Sequence, residues 1–158
     1  MTSTAALTDL TFSVSGHIAR PCAEVYEAVA DPHTLSRYFT TGGARGRLVA
    51  GETVTWDFAD FPGAFPVRVI EARAPETIVI AWDGEATSDA AGETTVTFTF
   101  APVDDDTRTL VTITESAWQA TPAGATAAFG NCAGWTGMLA AMKAWVEHRI
   151  NLREGFYR

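Results

Sequence analysis

The sequence predicts an α+β domain in which a one-sided antiparallel sheet buries its apolar face against one long C-terminal helix. Three observations carry that reading. From Arg45 to Glu115, apolar and polar residues alternate with period two almost throughout. Turn-forming residues interrupt this stretch at short intervals, so that consecutive strands meander antiparallel. From Pro122 to about Ile150 the period becomes helical, and a sheet with one dry face needs such an element to cover it. A chain of 158 residues, 47% hydrophobic and 19% charged, is long enough for one such domain with a sizeable core.

Residues 1–10 are small and polar and read as a flexible leader, 11–150 as a single domain and 151–158 as a C-terminal tail. Thr11 to Ile18 alternates, placing Phe12, Val14 and Ile18 on one face of a first strand. Pro21 to Ala30 carries Val25, Ala28 and Val29 at helical spacing with Glu24 and Glu27 opposite. Asp31-Pro32 then supplies a cap and a first-turn proline for a second short helix holding Leu35, Tyr38 and Phe39 before the breaker Gly42-Gly43. The following strands are marked by Val54/Trp56/Phe58, Phe65/Val67/Val69, Ile78/Ile80/Trp82, Val96/Phe98/Phe100 and Val111/Ile113. Their breaks are expected at Phe61-Pro62-Gly63, Ala74-Pro75-Glu76, the acidic stretch Asp83 to Glu93 and Asp104 to Thr107. In the last helix Ala128, Cys132, Trp135, Leu139, Met142 and Val146 recur every three or four residues. A second stripe holds Gly130, Gly134, Gly137, Ala141 and Ala144; each interior glycine costs about 1 kcal/mol against alanine. Either a close approach of backbone or ligand compensates, or the stripe is composition without purpose.

The net charge of −8 repels phosphate backbones and anionic surfaces, so neither nucleic acid nor a membrane is an expected partner. No stretch approaches the ~18 apolar residues of a membrane span and no secretory leader is legible, so a cytoplasmic location is expected. Cys22 and Cys132 stand far apart and read as buried apolar thiols. His17, His33 and His148 form no pair with metal-ligand spacing, and neither a nucleophile elbow nor a phosphate loop occurs. No metal and no cofactor are expected. Glu24, Glu27, Asp83, Glu85, Asp89, Glu93 and Asp104 to Asp106 read as a solvated face and hairpin tips.

Several segments, in order, resemble one known family. They are Ile18-Ala19-Arg20-Pro21 leading to Val25-Tyr26-Glu27-Ala28, Asp31-Pro32 to Arg37-Tyr38-Phe39, and Gly51 before the Trp56 strand. Next come Val69-Ile70-Glu71 with Pro75 to Trp82, Thr107 to Glu115, and Gly134-Trp135-Thr136-Gly137-Met138-Leu139 running to Trp145-Val146-Glu147. Together they are similar to the homologues of the activator of heat-shock protein 90 ATPase, within the START-like (SRPBCC) superfamily that includes polyketide cyclases. The resemblance implies a helix-grip fold, a curved antiparallel sheet of about six to seven strands wrapped around the C-terminal helix, with two short helices after the first strand. The eukaryotic activators carry a separate N-terminal domain besides, which is not expected within these 158 residues.

The resemblance also implies a hydrophobic ligand held between sheet and helix. The residues themselves leave a packed aromatic core or a lined pocket open, since Trp56, Phe58, Phe65, Trp82 and Phe98 all fall on strand positions facing the helix. Binding of a small hydrophobic molecule is the expected function, with Phe39, Trp56, Phe58, Phe65, Trp82, Phe98, Glu115, Trp118, Trp135 and Leu139 as candidate contacts. Glu115 is singled out because Val111, Ile113 and Glu115 point the same way. A buried carboxylate must take up a proton or find partners. Exposure at the strand's end, by the pocket mouth, is one reading; a polar anchor or general base near Trp118 is the other. Co-chaperone binding to a chaperone and a cyclase- or hydrolase-like reaction using Glu115 are the alternative functions. The tail Leu152 to Arg158 either folds back or joins a contact in a homodimer; a monomer remains the other expectation.

Overall fold

The computed structural model describes residues 5–83 and 92–158; Glu85 and Asp89, expected at a hairpin tip, and the first part of the leader lie outside them. The elements are β1 (Leu10–Ile18), α1 (Cys22–Ala30), α2 (Pro32–Tyr38), β2 (Gly43–Arg45), β3 (Thr53–Phe58), β4 (Phe61–Arg73), β5 (Thr77–Asp83), β6 (Glu93–Val103), β7 (Arg108–Trp118) and α3 (Pro122–His148). The sheet is fully antiparallel in the order β1-β7-β6-β5-β4-β3-β2. Among the described residues only the pairing of β1 with β7 joins strands distant in sequence, with Val14 opposite Ile113 and Phe12 opposite Glu115. This is the helix-grip architecture.

Strand alternation sorts the two faces as the sequence expects. Val54, Trp56, Val67, Val69, Ile78, Ile80, Val96, Phe98, Phe100, Val111 and Ile113 are all buried, and threonines of β6 and β7 alternate with them on the outer face. The Asp31 carboxylate accepts from the Thr34 amide, capping α2 as its position predicts. Tyr38, fully buried, donates its hydroxyl to the Ala28 carbonyl at 2.8 Å and so ties the end of α1 to α2. Burial pushes its phenol pKa well up.

Two local expectations are corrected. The β3–β4 hairpin turns at Ala59-Asp60, not at Phe61-Pro62-Gly63; Phe58 pairs with Phe61, and Pro62 and Gly63 lie within β4. A register irregularity after Trp56 leaves this end of the ladder uneven, where a residue without an amide hydrogen is tolerated. Cys132 is half-buried, not buried, whereas Cys22 is buried as expected and burial raises its thiol pKa.

Thr121 caps α3, its hydroxyl accepting from the Gly124 amide at 3.0 Å, and Pro122 occupies the first turn. Gly124 is obligatory there: a Cβ would stand 1.9 Å from the Gln119 carbonyl oxygen. The expected stripe of Ala128, Trp135, Leu139, Met142 and Val146 is buried, joined by Ala127, Met138 and Ala141. The backbone of α3 packs closely on β1, β7, α1 and α2. Toward β3, β4 and β5 the gap between helix and sheet is bridged by aromatic side chains instead. At the helix end Arg149 adopts left-handed geometry (φ 57°), which turns the chain back along α3.

Candidate functional site

Glu115 stands on β7 among apolar neighbours and is 0% exposed. The expectation of an exposed strand end fails because β7 continues to Trp118 and α3 covers this face. The carboxylate is instead surrounded by donors. Trp82 Nε1 reaches Oε2 at 3.1 Å, Thr94 Oγ1 reaches Oε2 at 2.9 Å and Trp135 Nε1 reaches Oε1 at 2.8 Å. Asn131 Nδ2 bridges both oxygens at 3.1 and 3.2 Å. Sheet register explains the convergence: Trp82 pairs with Thr94 across β5–β6 and Val96 with Glu115 across β6–β7, so all lie on the helix-facing side. Asn131 and Trp135, one helical turn apart on α3, complete the ring from above. Among the described residues no cation takes part in this ring. An ionised carboxylate only accepts, and each of its partners here donates.

The two indoles held in this way belong to a connected aromatic group. Trp135 lies 5.5 Å from Phe39 in a stacked pair, 5.4 Å from Trp82 and 5.5 Å from Phe98. Phe58 adds contacts with Phe39 at 5.0 Å and Phe65 at 5.9 Å, and Phe65 lies 5.4 Å from Trp82. Such pairs contribute about 0.5–1.5 kcal/mol each beyond area burial.

Beside this group lies a partly open, predominantly apolar cleft of about 410 Å³. Its walls are Phe39, Phe58, Trp82, Trp135 and Met138 on the core side, and the tail residues Leu152, Arg153, Phe156 and Tyr157 on the other. Its floor is the small-residue stripe of α3, including Gly130, Gly134 and Gly137. A Cβ added at Gly130 or Gly134 would meet nothing within 4 Å, whereas one at Gly137 would stand 2.7 Å from the Tyr157 hydroxyl. Glycine therefore leaves open space at two positions and admits the tail at the third.

Of the residues singled out by sequence, Phe39, Phe58, Trp82 and Trp135 line the cleft. Trp56 and Phe98 are fully buried beneath it, and Leu139 belongs to the same core. Phe65 packs between Phe58 and Trp82. Glu115 sits behind the wall formed by its own donors. Trp118 is in a separate small cluster with Ala127 and Ala128, stacked on Phe12. Sequence reasoning passed over Thr94 and Asn131, neutral residues whose role appears only when three strands and a helix meet. It also passed over Asp60 and Arg153.

Arg153 is the charged side chain that lines the cleft, beside the polar Asn131 and Tyr157. Its guanidinium makes a two-pronged ion pair with Asp60 in the β3–β4 turn, at 2.6 and 2.8 Å, and both side chains are largely buried. That pair holds the Asp60 carboxyl below its ordinary range. The guanidinium also lies over Tyr157 at 4.7 Å and Phe58 at 5.9 Å, while Phe61 meets Tyr157 at 6.0 Å. Asn151 Oδ1 accepts from the Arg153 and Glu154 amides and shapes the turn that presents this arginine. The tail thus folds back against the β3–β4 hairpin. Among the described residues no group of histidine, cysteine or acidic side chains is arranged to hold a metal, and no helix is long and apolar enough to cross a membrane.

Comparison with known proteins places this geometry. The sequence model of a family described as "Activator of Hsp90 ATPase homolog 1-like protein" matches residues 19–147. No curated protein matches the chain significantly. Among solved structures, the protein SSP2350 from Staphylococcus saprophyticus superposes with a TM-score of 0.76 at 20% identity, over 91% of this chain and 96% of that one. DynU16, a protein in the dynemicin biosynthetic locus, gives 0.72 at 21% identity, over 87% of this chain and 47% of its own. The Aha1 dimer from Colwellia psychrerythraea, solved in solution, gives 0.71 at 19% identity, over 89% and 98%.

Proposed function

The chain belongs to the activator of Hsp90 ATPase homologue 1-like family, within the START-like superfamily, and from that membership and the cleft we propose that it binds a small hydrophobic molecule between the aromatic end of its sheet and α3. The single observation that carries the reading is the apolar cleft of about 410 Å³, walled by Phe39, Phe58, Trp82 and Trp135 and left open by the glycines of α3. Small-molecule sites commonly have volumes of about 300–1,000 Å³, with apolar walls and a few placed polar groups. Glu115 contributes through its donors: it fixes both indoles and Asn131 against the ligand space. Native mass spectrometry of the protein as purified, followed by denaturing extraction, tests the proposal. A defined small-molecule mass that leaves on unfolding is the expected result. An empty protein that also fails to take up a two-ring aromatic probe refutes it.

Self-association is a second reading, favoured by the exposed apolar side chains Phe129, Ile150 and Phe156 around the helix and tail. The Colwellia relative is a dimer. Sedimentation velocity over a concentration series distinguishes a dimer from a monomer.

A further inference from the structure

We propose that Arg153 is the specificity-determining residue of the cleft, and that it selects an uncharged hydrophobic molecule bearing a carbonyl-type oxygen acceptor. This rests on the cleft being a ligand site and adds the chemistry that site recognises. Three observations converge. Arg153 lines the cleft and is only 7% exposed, so bulk water reaches little of it. Among the described residues its guanidinium donates only to Asp60, through one hydrogen on each terminal nitrogen, which leaves further N–H groups unspent. Those N–H groups are not sealed from solvent without a partner, as the Trp56 and Trp118 indole nitrogens are, so an acceptor on a ligand in the cleft can reach them.

The charge balance decides which acceptor. Asp60 already neutralises Arg153 at 2.6 and 2.8 Å, so the pair offers hydrogen bonds without net charge. The other cation near the pair, Arg158 over the Phe61 ring at 4.8 Å, is exposed and screened by water, so an anionic ligand would bring a poorly compensated charge into a largely apolar space, beside a second buried carboxylate at Glu115 and in a chain of net charge −8. A ketone or amide oxygen takes the same hydrogen bonds without that penalty. Ring shape is selected as well, because the neighbouring walls are aromatic faces and the guanidinium itself lies over Phe58 and Tyr157.

The test uses three probes of like size: 2-acetylnaphthalene, the hydrocarbon 2-isopropylnaphthalene and the anion 2-naphthoate, titrated calorimetrically into the 158-residue chain. The ketone is expected to bind about 3- to 10-fold more tightly than the hydrocarbon, the worth of one hydrogen bond, and the anion most weakly. Arg153→Met keeps the apolar stem and is expected to erase the ketone's advantage while the hydrocarbon still binds. Asp60→Asn leaves the arginine uncompensated and is expected to raise the anion's affinity above the ketone's, a reversal that a merely structural arginine would not produce. Should Arg153→Met fail to fold, the Asp60→Asn reversal decides alone. Equal binding of ketone and hydrocarbon to the wild type overturns the role of Arg153 but leaves the cleft a ligand site. Failure of all three probes overturns both.

Discussion

Replacing Glu115 is the most direct test of how the aromatic wall is held. Glu115→Leu removes the acceptor shared by Trp82, Thr94, Asn131 and Trp135. Trp82 and Asn131 are partly exposed and border the cleft, so water can replace the carboxylate for them. Thr94 and Trp135 are 0% and 2% exposed, and their donors would be stranded. At about 1–3 kcal/mol for each stranded donor, the change is expected to cost about 2–6 kcal/mol. Relief of the carboxylate's own desolvation opposes this, and on that account alone a buried charge replaced by an apolar group can be neutral or stabilising. The four donors decide the sign: they compensate the native carboxylate and do not compensate leucine. Glu115→Gln should fall between. Its oxygen can stay with Trp135 and Asn131, and the Thr94 hydroxyl can rotate to accept from the amide, so only Trp82 meets a donor with a donor; about 1–3 kcal/mol is expected. Urea unfolding followed by circular dichroism measures the differences at unchanged slope, and the indole N–H resonances of Trp82 and Trp135 report the bonds themselves. A leucine variant within about 1 kcal/mol of wild type would refute this account of the carboxylate.

Further outcomes follow from the tail and helices. Arg153 depresses the Asp60 carboxyl below its ordinary value of 3.8, so the stabilisation is complete above that value and is lost as pH falls through the depressed one. The Tyr157 ring resonances should therefore shift on acidification below pH 3.8, as the ion pair beneath the ring is lost while the tail stays seated, and Asp60→Asn should abolish that shift. Gly134→Ala should raise stability by about 1 kcal/mol because its Cβ meets open space, and Gly134→Leu should abolish probe binding by filling the cleft. Gly137→Ala should instead displace Tyr157, seen as faster proteolysis after the tail aromatics, because the hydroxyl lies 2.7 Å from the new Cβ. Tyr38→Phe should cost about 1 kcal/mol in urea unfolding through loss of the bond to the Ala28 carbonyl, and in wild type the Tyr38 phenol should stay silent in a spectrophotometric titration through the ordinary tyrosine range.

Strand faces, both short helices and the buried stripe of α3 were legible because each is a local periodicity. A strand that buries Ile78 and Ile80 and a helix that buries Trp135 and Leu139 record their surroundings in their own spacing. The site was legible only in part. Phe39, Phe58, Trp82 and Trp135 could be picked out as large apolar residues on inward positions. Which aromatics would be sealed in, as Trp56 and Phe98 are, depends on how far the helix stands from each strand, and no local pattern encodes that distance. Asp60 and Arg153 were invisible for a related reason: 93 residues separate them, and each alone resembles an ordinary surface charge. The hairpin shift shows the limit of turn chemistry, since Pro62-Gly63 is a turn signal that the Phe58–Phe61 pairing overrides.

A void beside aromatic side chains ordinarily invites collapse, because close packing recovers dispersion contacts that a gap forfeits. Here the rings nearest the cleft are not free to close it. Trp82 and Trp135 are fastened through their indole nitrogens to one carboxylate, and Phe39 is stacked on Trp135. On the opposite side the tail is fastened to Asp60 through Arg153 and cannot settle deeper than Tyr157 against Gly137. Between them α3 presents glycines at the places where longer side chains would fill the space, at a cost of about 1 kcal/mol each in helix propensity. A carboxylate behind one wall and an ion pair behind the other fasten the two sides, and a floor without side chains, at its cost in helix propensity, keeps the space between them clear. Together they preserve an apolar space of fixed shape, and preorganisation of that kind lowers the ordering cost of binding a rigid hydrophobic molecule.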